Sequence, residues 1–436
     1  MEAIALLLFC GVLSLCVFLD ITIVYALIVG LIIFLTYGRL KKFSWSELGK
    51  MVFSGIKTVR NILITFMLIG MLTASWRSAG TISTIICYSV TLIRPSIFVL
   101  VTFILNSIIS VLTGTAFGTA ATMGVICMTM STAMQVNPLY AGGAILAGCF
   151  FGDRCSPVST SALLVSELTG TNLFTNLKKM VVSCLPGLAI TCALYFLLGL
   201  NSQTSGEIMD VEALFSQHFN LHVLTVLPAV AVLVMAALRQ NVKKTLSVSI
   251  ILAVVCCVVF QGRPVGELLH TLVFGFRSAD PELGAMMNGG GITSMLRTAA
   301  IITISSSYSG IFKGTGFLSS IQGRILALGK RFTPYFSILL TSIVTSLIAC
   351  NQTLAIMLTQ QLCCEVEPDN QKLAIDLEDS AVLVAPLVPW SIAAATPLTT
   401  VGAPTGSILF AFFLYMVPLT RLLMQMVKRP SRSNAA

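Results

Sequence analysis

Charge is scarce in this chain of 436 residues: only 10% of positions are Asp, Glu, Lys or Arg, and there are three histidines. A soluble domain of this length needs far more polar surface, so the shortage excludes that class. The 13 cysteines form no CxxC pair, and Cys10, Cys16, Cys87, Cys127 and Cys192 lie inside apolar stretches. They read as small buried hydrophobes, not as a disulfide framework. Walker loop, dinucleotide fingerprint and nucleophile elbow are all missing, so neither ATP-driven nor hydrolytic chemistry is expected, no enzyme and no bound cofactor. The apolar runs also lack the two-residue alternation of a β-barrel.

What the chain has in plenty is hydrophobic residues, 56% of the total, with a mean hydropathy of +0.94. A bilayer core needs about 20 apolar residues per helix, and such stretches recur from Ile4 to Met426. The expected fold is an all-α polytopic membrane protein with roughly 12 to 14 spans. The opening span, Ile4 to Leu19, follows Glu2 and no basic residue, so it reads as a retained helix and not a signal peptide. The net charge of +9 sits in short loops and a tail beside apolar spans. Topology and anionic lipid explain that placement better than nucleic acid does.

Basic residues mark the cytoplasmic side. They are Arg39, Lys41, Lys42, Lys50, Lys57 and Arg60, then Lys178 and Lys179, Arg239, Lys243 and Lys244, Lys330 and Arg331, and finally Lys428, Arg429 and Arg432. The connector holding Glu207, Asp210 and Glu212 has no basic residue and is expected outside. A repeat is visible as well. Trp76 to Thr81 resembles Phe312 to Phe317, with Gly80 and Gly316 separated by 236 positions (316 − 80), and the same offset pairs Arg94 with Lys330 and Leu112–Thr115 with Ile348–Asn351. Charge places the start of the first copy, near Arg60, inside and that of the second, near Arg297, outside. Two inverted-topology repeats with broken helices at the membrane midplane are therefore expected. Residues 1–199 form the first, 200–220 the external connector, 221–426 the second, and 427–436 a basic cytoplasmic tail.

Few acids fall within or at the edge of apolar spans: Asp153, Glu167, Glu378 and Asp379. Ionisable groups at that depth are expensive and usually functional. Asp153 stands between a glycine-rich run (Gly142, Gly143, Gly148, Gly152) and Ser156, Pro157, Ser159, Thr160 and Ser161. Proline frees a backbone carbonyl there, and the hydroxyls supply oxygen ligands of the kind a hard cation takes. The plainer reading of Asp153 is a surface ion pair with Arg154, and that of Glu167 an interfacial acid beside a helix end. A second small, hydroxyl-rich interruption contains Thr113 and Thr115, and its repeat mate brings Asn351, Gln352 and Thr353 to the equivalent depth. Together they line one midplane cavity in this reading; simple interhelical hydrogen bonding is the alternative. Glu378, Asp379 and Ser380 are read as opening a span that runs through Pro386, Pro389 and Trp390, another broken helix, with N-capping as the bland role of the acids. His218 and His222 stand four apart, but two ligands without a third make no metal site.

Phe151-Gly152-Asp153-Arg154-Cys155-Ser156-Pro157-Val158-Ser159 resembles the FGD-x-x-SP-x-S signature of NhaC-type sodium/proton antiporters, within the ion transporter superfamily. The Thr113–Thr119 run is similar to that family's TGTSWGT, and Glu378-Asp379 with Pro386 to Trp390 to its ED and PL-x-PW elements, so the resemblance spans about residues 60 to 420. It implies a secondary transporter exchanging sodium for protons, with Asp153, Ser156, Ser159, Thr160, Thr113, Thr115, Asn351, Thr353, Glu378, Asp379 and Trp390 as ion- or substrate-binding candidates. The family signature carries a second aspartate where this chain has Thr160, and some of its members exchange carboxylates such as malate and lactate. A coupled transporter of a small organic anion or amino acid, met by Arg154, is therefore the alternative. Expected partners are lipid, sodium, protons or a small organic solute, and a second copy in a homodimer. The expected location is a bacterial inner membrane.

Overall fold

The computed structural model describes residues 2–19, 21–90, 94–201, 211–238, 240–317, 333–349 and 351–427. Among them the chain is helical throughout, without a strand beyond one bridge between Phe276 and Gly289. Arg239, Lys330, Arg331, the Glu207–Asp210 part of the connector and the basic tail lie outside the described residues.

Four described helices are long and apolar enough to cross a membrane: Pro95–Thr113, Ala116–Ala133, Leu173–Leu200 and Val242–Gln261. Seven qualify if each sharply bent pair counts as one span, as with Asn370–Leu387 and Ile392–Val401, which meet at 55°. Shorter apolar helices such as Ile4–Leu13 and Pro334–Ala349 account for further hydrophobic stretches. Interruptions cut the apolar runs into pieces, so the helices are shorter than those runs. The whole is a multi-pass α-helical membrane protein.

The basic segment after the second helix is itself largely helical. Ser44 and Glu47 close a reciprocal cap at the start of Trp45–Thr58, which satisfies two amide donors of the first turn. That helix packs closely on Leu296–Thr315, where a Cβ added to Gly310 would fall 1.8 Å from the Met51 carbonyl oxygen.

Pro138–Cys155 runs through the interior and is buried along nearly all its length. Asn137 caps it, accepting from the Leu139 N–H at 2.9 Å, and Pro138 occupies the first turn, where no amide donor is missed. Lipid is as apolar as leucine, so helices in it are held by close packing more than by water exclusion. The glycines supply that closeness. A Cβ on Gly152 would lie 2.1 Å from the Ser110 carbonyl carbon, and one on Gly148 would lie 2.8 Å from the Phe103 carbonyl oxygen. The Pro95–Thr113 helix thus meets it backbone to backbone, and Ser110 donates across to the Cys149 carbonyl.

Both helices stop in the interior. Gly114, at φ +65°, ends the first, a left-handed conformation that glycine adopts without steric cost. The chain re-enters a helix at Ala116, which carries a five-residue π-turn at Ala120–Gly124. Cys155 ends the second, and Ser159 starts a new ten-residue helix, Thr160–Thr169, which Gly170 closes at φ +63°. The same frame recurs late in the chain. Ser391 caps the ten-residue helix Ile392–Val401, which Gly402 closes at φ +75°, 232 positions on at both ends (391 − 159 and 402 − 170).

Candidate functional site

The interruptions at 114–115 and 156–159 and the helix start at Asn351 border one cavity of about 570 Å³, lined by Thr113, Thr115, Asp153, Thr160, Ser161, Asn351, Gln352 and Thr353. Asp153, 4% exposed, supplies its carboxylate. Oδ2 accepts from Ser161 Oγ at 2.8 Å and from Gln352 Nε2 at 2.9 Å, and Oδ1 lies 3.5 Å from Ser159 Oγ. Gln352 spends its other amide proton on the Val382 carbonyl at 3.0 Å. No basic side chain touches this carboxylate among the described residues. Polar side chains hold it, and the cavity beside it sets hydroxyl and amide groups among a larger apolar lining that includes Ile62, Phe117, Phe150 and Val232.

Ser156 and Ser159 do different work from that expected. Ser156 Oγ donates to the Val111 carbonyl at 2.6 Å, and Ser159 Oγ accepts from the amides of Ser161 and Ala162 at 3.1 and 3.3 Å while donating to the Asp153 carbonyl. Breaking a buried helix strands backbone groups, each costly unless paired. These two hydroxyls pair them, and neither residue lines the cavity.

The surface pair of Asp153 with Arg154 does not form. Arg154 is fully buried and bonds Asp379 Oδ1, Ser183 Oγ at 2.8 Å and the Met180 carbonyl at 3.2 Å. Adjacent residues on a helix point in different directions, and Arg154 follows its own. Arg421 reaches the same region, 2.8 Å from Asp376 Oδ1 and 3.6 Å from Asp379 Oδ2.

The reading of Glu378 and Asp379 as opening a span is corrected. Glu378 is the last residue of the helix Asn370–Glu378, and Asp379 is its C-cap. Asp369 starts that helix, accepting from the Gln371 and Lys372 amides at 3.0 and 3.3 Å; the Lys372 amide foremost holds this exposed carboxyl below its usual range. The polar Asn370-Gln371-Lys372 hid the helix start, which lies upstream of the apolar stretch. The N-capping role belongs to Asp369. Glu378, Asp379 and Trp390 do not line the cavity; Trp390 Nε1 donates to the Leu347 carbonyl at 3.1 Å. Glu167 is exposed, as an interfacial acid would be. His218 lies 3.5 Å from Asp280, and His222 stacks on Phe260, so the two imidazoles serve separate partners.

Gln240, Asn241 and Lys243 line the cavity too, at the capped start of Val242–Gln261. In the sequence Lys243 reads only as a marker of the cytoplasmic side, and Gln240 and Asn241 carry no signal of their own. Asp376 was also missed as a buried acid; its spacing of three from Asp379 along one helix was the available signal.

The sequence pattern of the Na+/H+ antiporter family matches residues 1–166 and 148–428. The chain is similar to the Na(+)/H(+) antiporter NhaC of Alkalihalophilus pseudofirmus, 27% identical over 409 residues that cover 91% of this chain and 88% of that one. It is 28% identical to the Malate-2H(+)/Na(+)-lactate antiporter of Bacillus subtilis over 396 residues, 87% of this chain and 84% of the other. With the arginine/ornithine antiporter of Halobacterium salinarum it shares 24% over 387 residues, 85% and 79% of the two chains.

Proposed function

The chain belongs to the Na+/H+ antiporter family, and from that premise we infer that it exchanges sodium for protons, with Asp153 as the carboxylate that holds the cation. The supporting observation is a buried carboxylate without a basic partner among the described residues, set on a helix break and facing a largely apolar cavity that also carries hydroxyl and amide groups. Hard cations take such oxygens, and a carboxylate balances their charge. Thr113, Thr115, Thr160, Asn351 and Thr353 stand around the same cavity as further oxygen donors. Reconstituted into proteoliposomes, the protein is expected to dissipate an imposed pH gradient when sodium or lithium is added with no organic solute present. A gradient that persists until a carboxylate or amino acid is supplied rejects the reading.

A second reading has its own support. About 570 Å³ far exceeds a dehydrated ion, and Lys243 lines the space together with the start of a 20-residue helix, a suitable place for a carboxylate. One relative is named for malate and lactate and another for arginine and ornithine. The same flux assay separates the two readings.

The architecture proposed for this task is a pair of inverted repeats, with the cavity near the midplane of a bacterial inner membrane. The matching frames Ser159–Gly170 and Ser391–Gly402 support the repeat. In a background without native cysteines, Asn172→Cys and Thr405→Cys, both at exposed positions just past those frames, should react with an impermeant thiol reagent from opposite sides. Labelling from one side only rejects the inversion.

A further inference from the structure

Glu378 is fully buried, and neither of its carboxyl oxygens has a hydrogen-bond partner among the described residues. Such a group in a packed interior calls for an explanation. Asp379, the next residue in the chain, belongs to a network of two cations and two anions: Arg154 bonds Asp379, and Arg421 bonds Asp376 and lies 3.6 Å from Asp379 Oδ2. The set is neutral without any charge on Glu378. Burying an unpaired carboxylate costs far more than burying a neutral carboxyl, so the arrangement seen is the one that suits a protonated Glu378.

We propose that Glu378 carries the exchanged proton, at a site separate from the cation site at Asp153, and that Arg154 couples the two. This rests on the sodium/proton reading above. When the O–H bond of Glu378 breaks and its proton leaves to water, a third anion joins a cluster that holds two cations among the described residues. Of the two cations, Arg154 is the one bonded to Asp379 through a fully buried contact, and Asp379 follows Glu378 directly in the chain. Drawn toward Glu378, Arg154 loosens its hold on Asp379 and pulls on the end of Pro138–Cys155, where Asp153 is the adjacent residue. Loss of the proton at one site is thereby felt by the carboxylate at the other.

The other titratable groups nearby leave this assignment in place. Tyr335, on Pro334–Ala349, donates to the Asp379 carbonyl at 2.9 Å and is committed there. Cys155 accepts from Arg154 at 3.0 Å, and Cys184 donates to the Val181 carbonyl on Leu173–Asn201. Ala381–Val384, which follows Glu378, has no titratable side chain, and Glu167 on Thr160–Thr169 is exposed.

The test uses the full-length protein and the Glu378→Gln variant, with sodium as the probe. Two readouts are taken: sodium-induced thermal stabilisation in detergent from acid to alkaline pH, and radioactive sodium flux driven by a pH gradient in proteoliposomes. In the wild type, one proton displaced per sodium makes the apparent affinity change about tenfold per pH unit on the acid side. Glu378→Gln is expected to keep sodium stabilisation, to flatten its pH dependence and to lose the gradient-driven flux. Wild-type flux and pH dependence in the variant overturn the proposal, as does loss of sodium stabilisation in a folded variant, which makes Glu378 a cation ligand. Should Glu378→Gln not fold, Glu378→Asp decides, because a displaced pH midpoint supports the proposal and an unchanged one overturns it. A wild type that sodium neither stabilises nor drives rejects the sodium reading itself, a result distinct from any difference between variants.

Discussion

Gln352 Nε2 donates to Asp153 Oδ2 at 2.9 Å, a contact between residues 199 positions apart that joins the first half of the chain to the second across the cavity. Its other proton goes to the Val382 carbonyl, so the amide is held in place and the carboxylate with it. Hydrogen bonds to charged groups contribute about 1.5–3 kcal/mol. Gln352→Leu is therefore expected to leave a folded protein whose apparent sodium affinity falls about 10- to 100-fold. Sodium-dependent thermal shifts measure this, and an unchanged affinity removes Gln352 from the site.

Gly152→Ala should lower the melting temperature. Its Cβ would fall 2.1 Å from the Ser110 carbonyl carbon and 2.3 Å from the Val111 nitrogen, both backbone atoms that cannot swing away. Overpacking of this kind costs about 1–3 kcal/mol. Gly266→Ala, in the helix Val265–Phe274 with nothing within 4 Å of the new atom, is the control and should be neutral or mildly stabilising, given alanine's helix propensity. Equal melting temperatures for the two variants contradict the close contact of Pro95–Thr113 with Pro138–Cys155.

Arg154 and Asp379 are both fully buried and bonded to each other. Removing one member of such a pair strands the other's charge, a loss of about 3–5 kcal/mol. Arg154→Met and Asp379→Asn should each destabilise strongly, and the double variant should recover part of that loss. A double-mutant cycle on thermal unfolding measures the coupling. Strictly additive losses would mean that each side chain is held by its other partners, Met180 and Ser183 for Arg154 or Ser183 and Arg421 for Asp379.

The helix breaks were legible because glycine, proline and hydroxyl residues act locally. Gly114 and Pro157 stand where the helices stop, whatever packs around them. Thr113, Thr115, Asp153, Thr160, Asn351 and Thr353 share one cavity because those interruptions meet in space. The roles of the neighbouring hydroxyls were not legible, since Ser156 serves a carbonyl 45 positions away, at Val111. Nor was the partner of Arg154, which lies 225 positions on. Sequence proximity suggested Asp153, and helix geometry sends the two side chains apart. The π-turn at Ala120–Gly124 has no local residue signal in its Ala-Ala-Thr-Met-Gly sequence.

Thr160→Asp tests what the chain's departure from its family signature means. Thr160 is exposed to the cavity and opens the helix Thr160–Thr169. An acid is favoured in a helix's first turn, so the variant should fold. It would place a second carboxylate beside the same cavity as Asp153. Two carboxylates sharing a site titrate as a pair, and a cation that neutralises both is held more tightly than by one. The expected outcome is tighter sodium binding together with a changed pH dependence of sodium-driven currents on a solid-supported membrane. Asp153→Asn in the same assay should fold and give no coupled current, because the amide keeps the shape but carries no charge and holds a cation only weakly. Undiminished current in Asp153→Asn takes that carboxylate out of the mechanism. An unaltered response in Thr160→Asp, with Asp153→Asn silent, would place the cation on the Ser161 and Gln352 side of Asp153, beyond reach of residue 160.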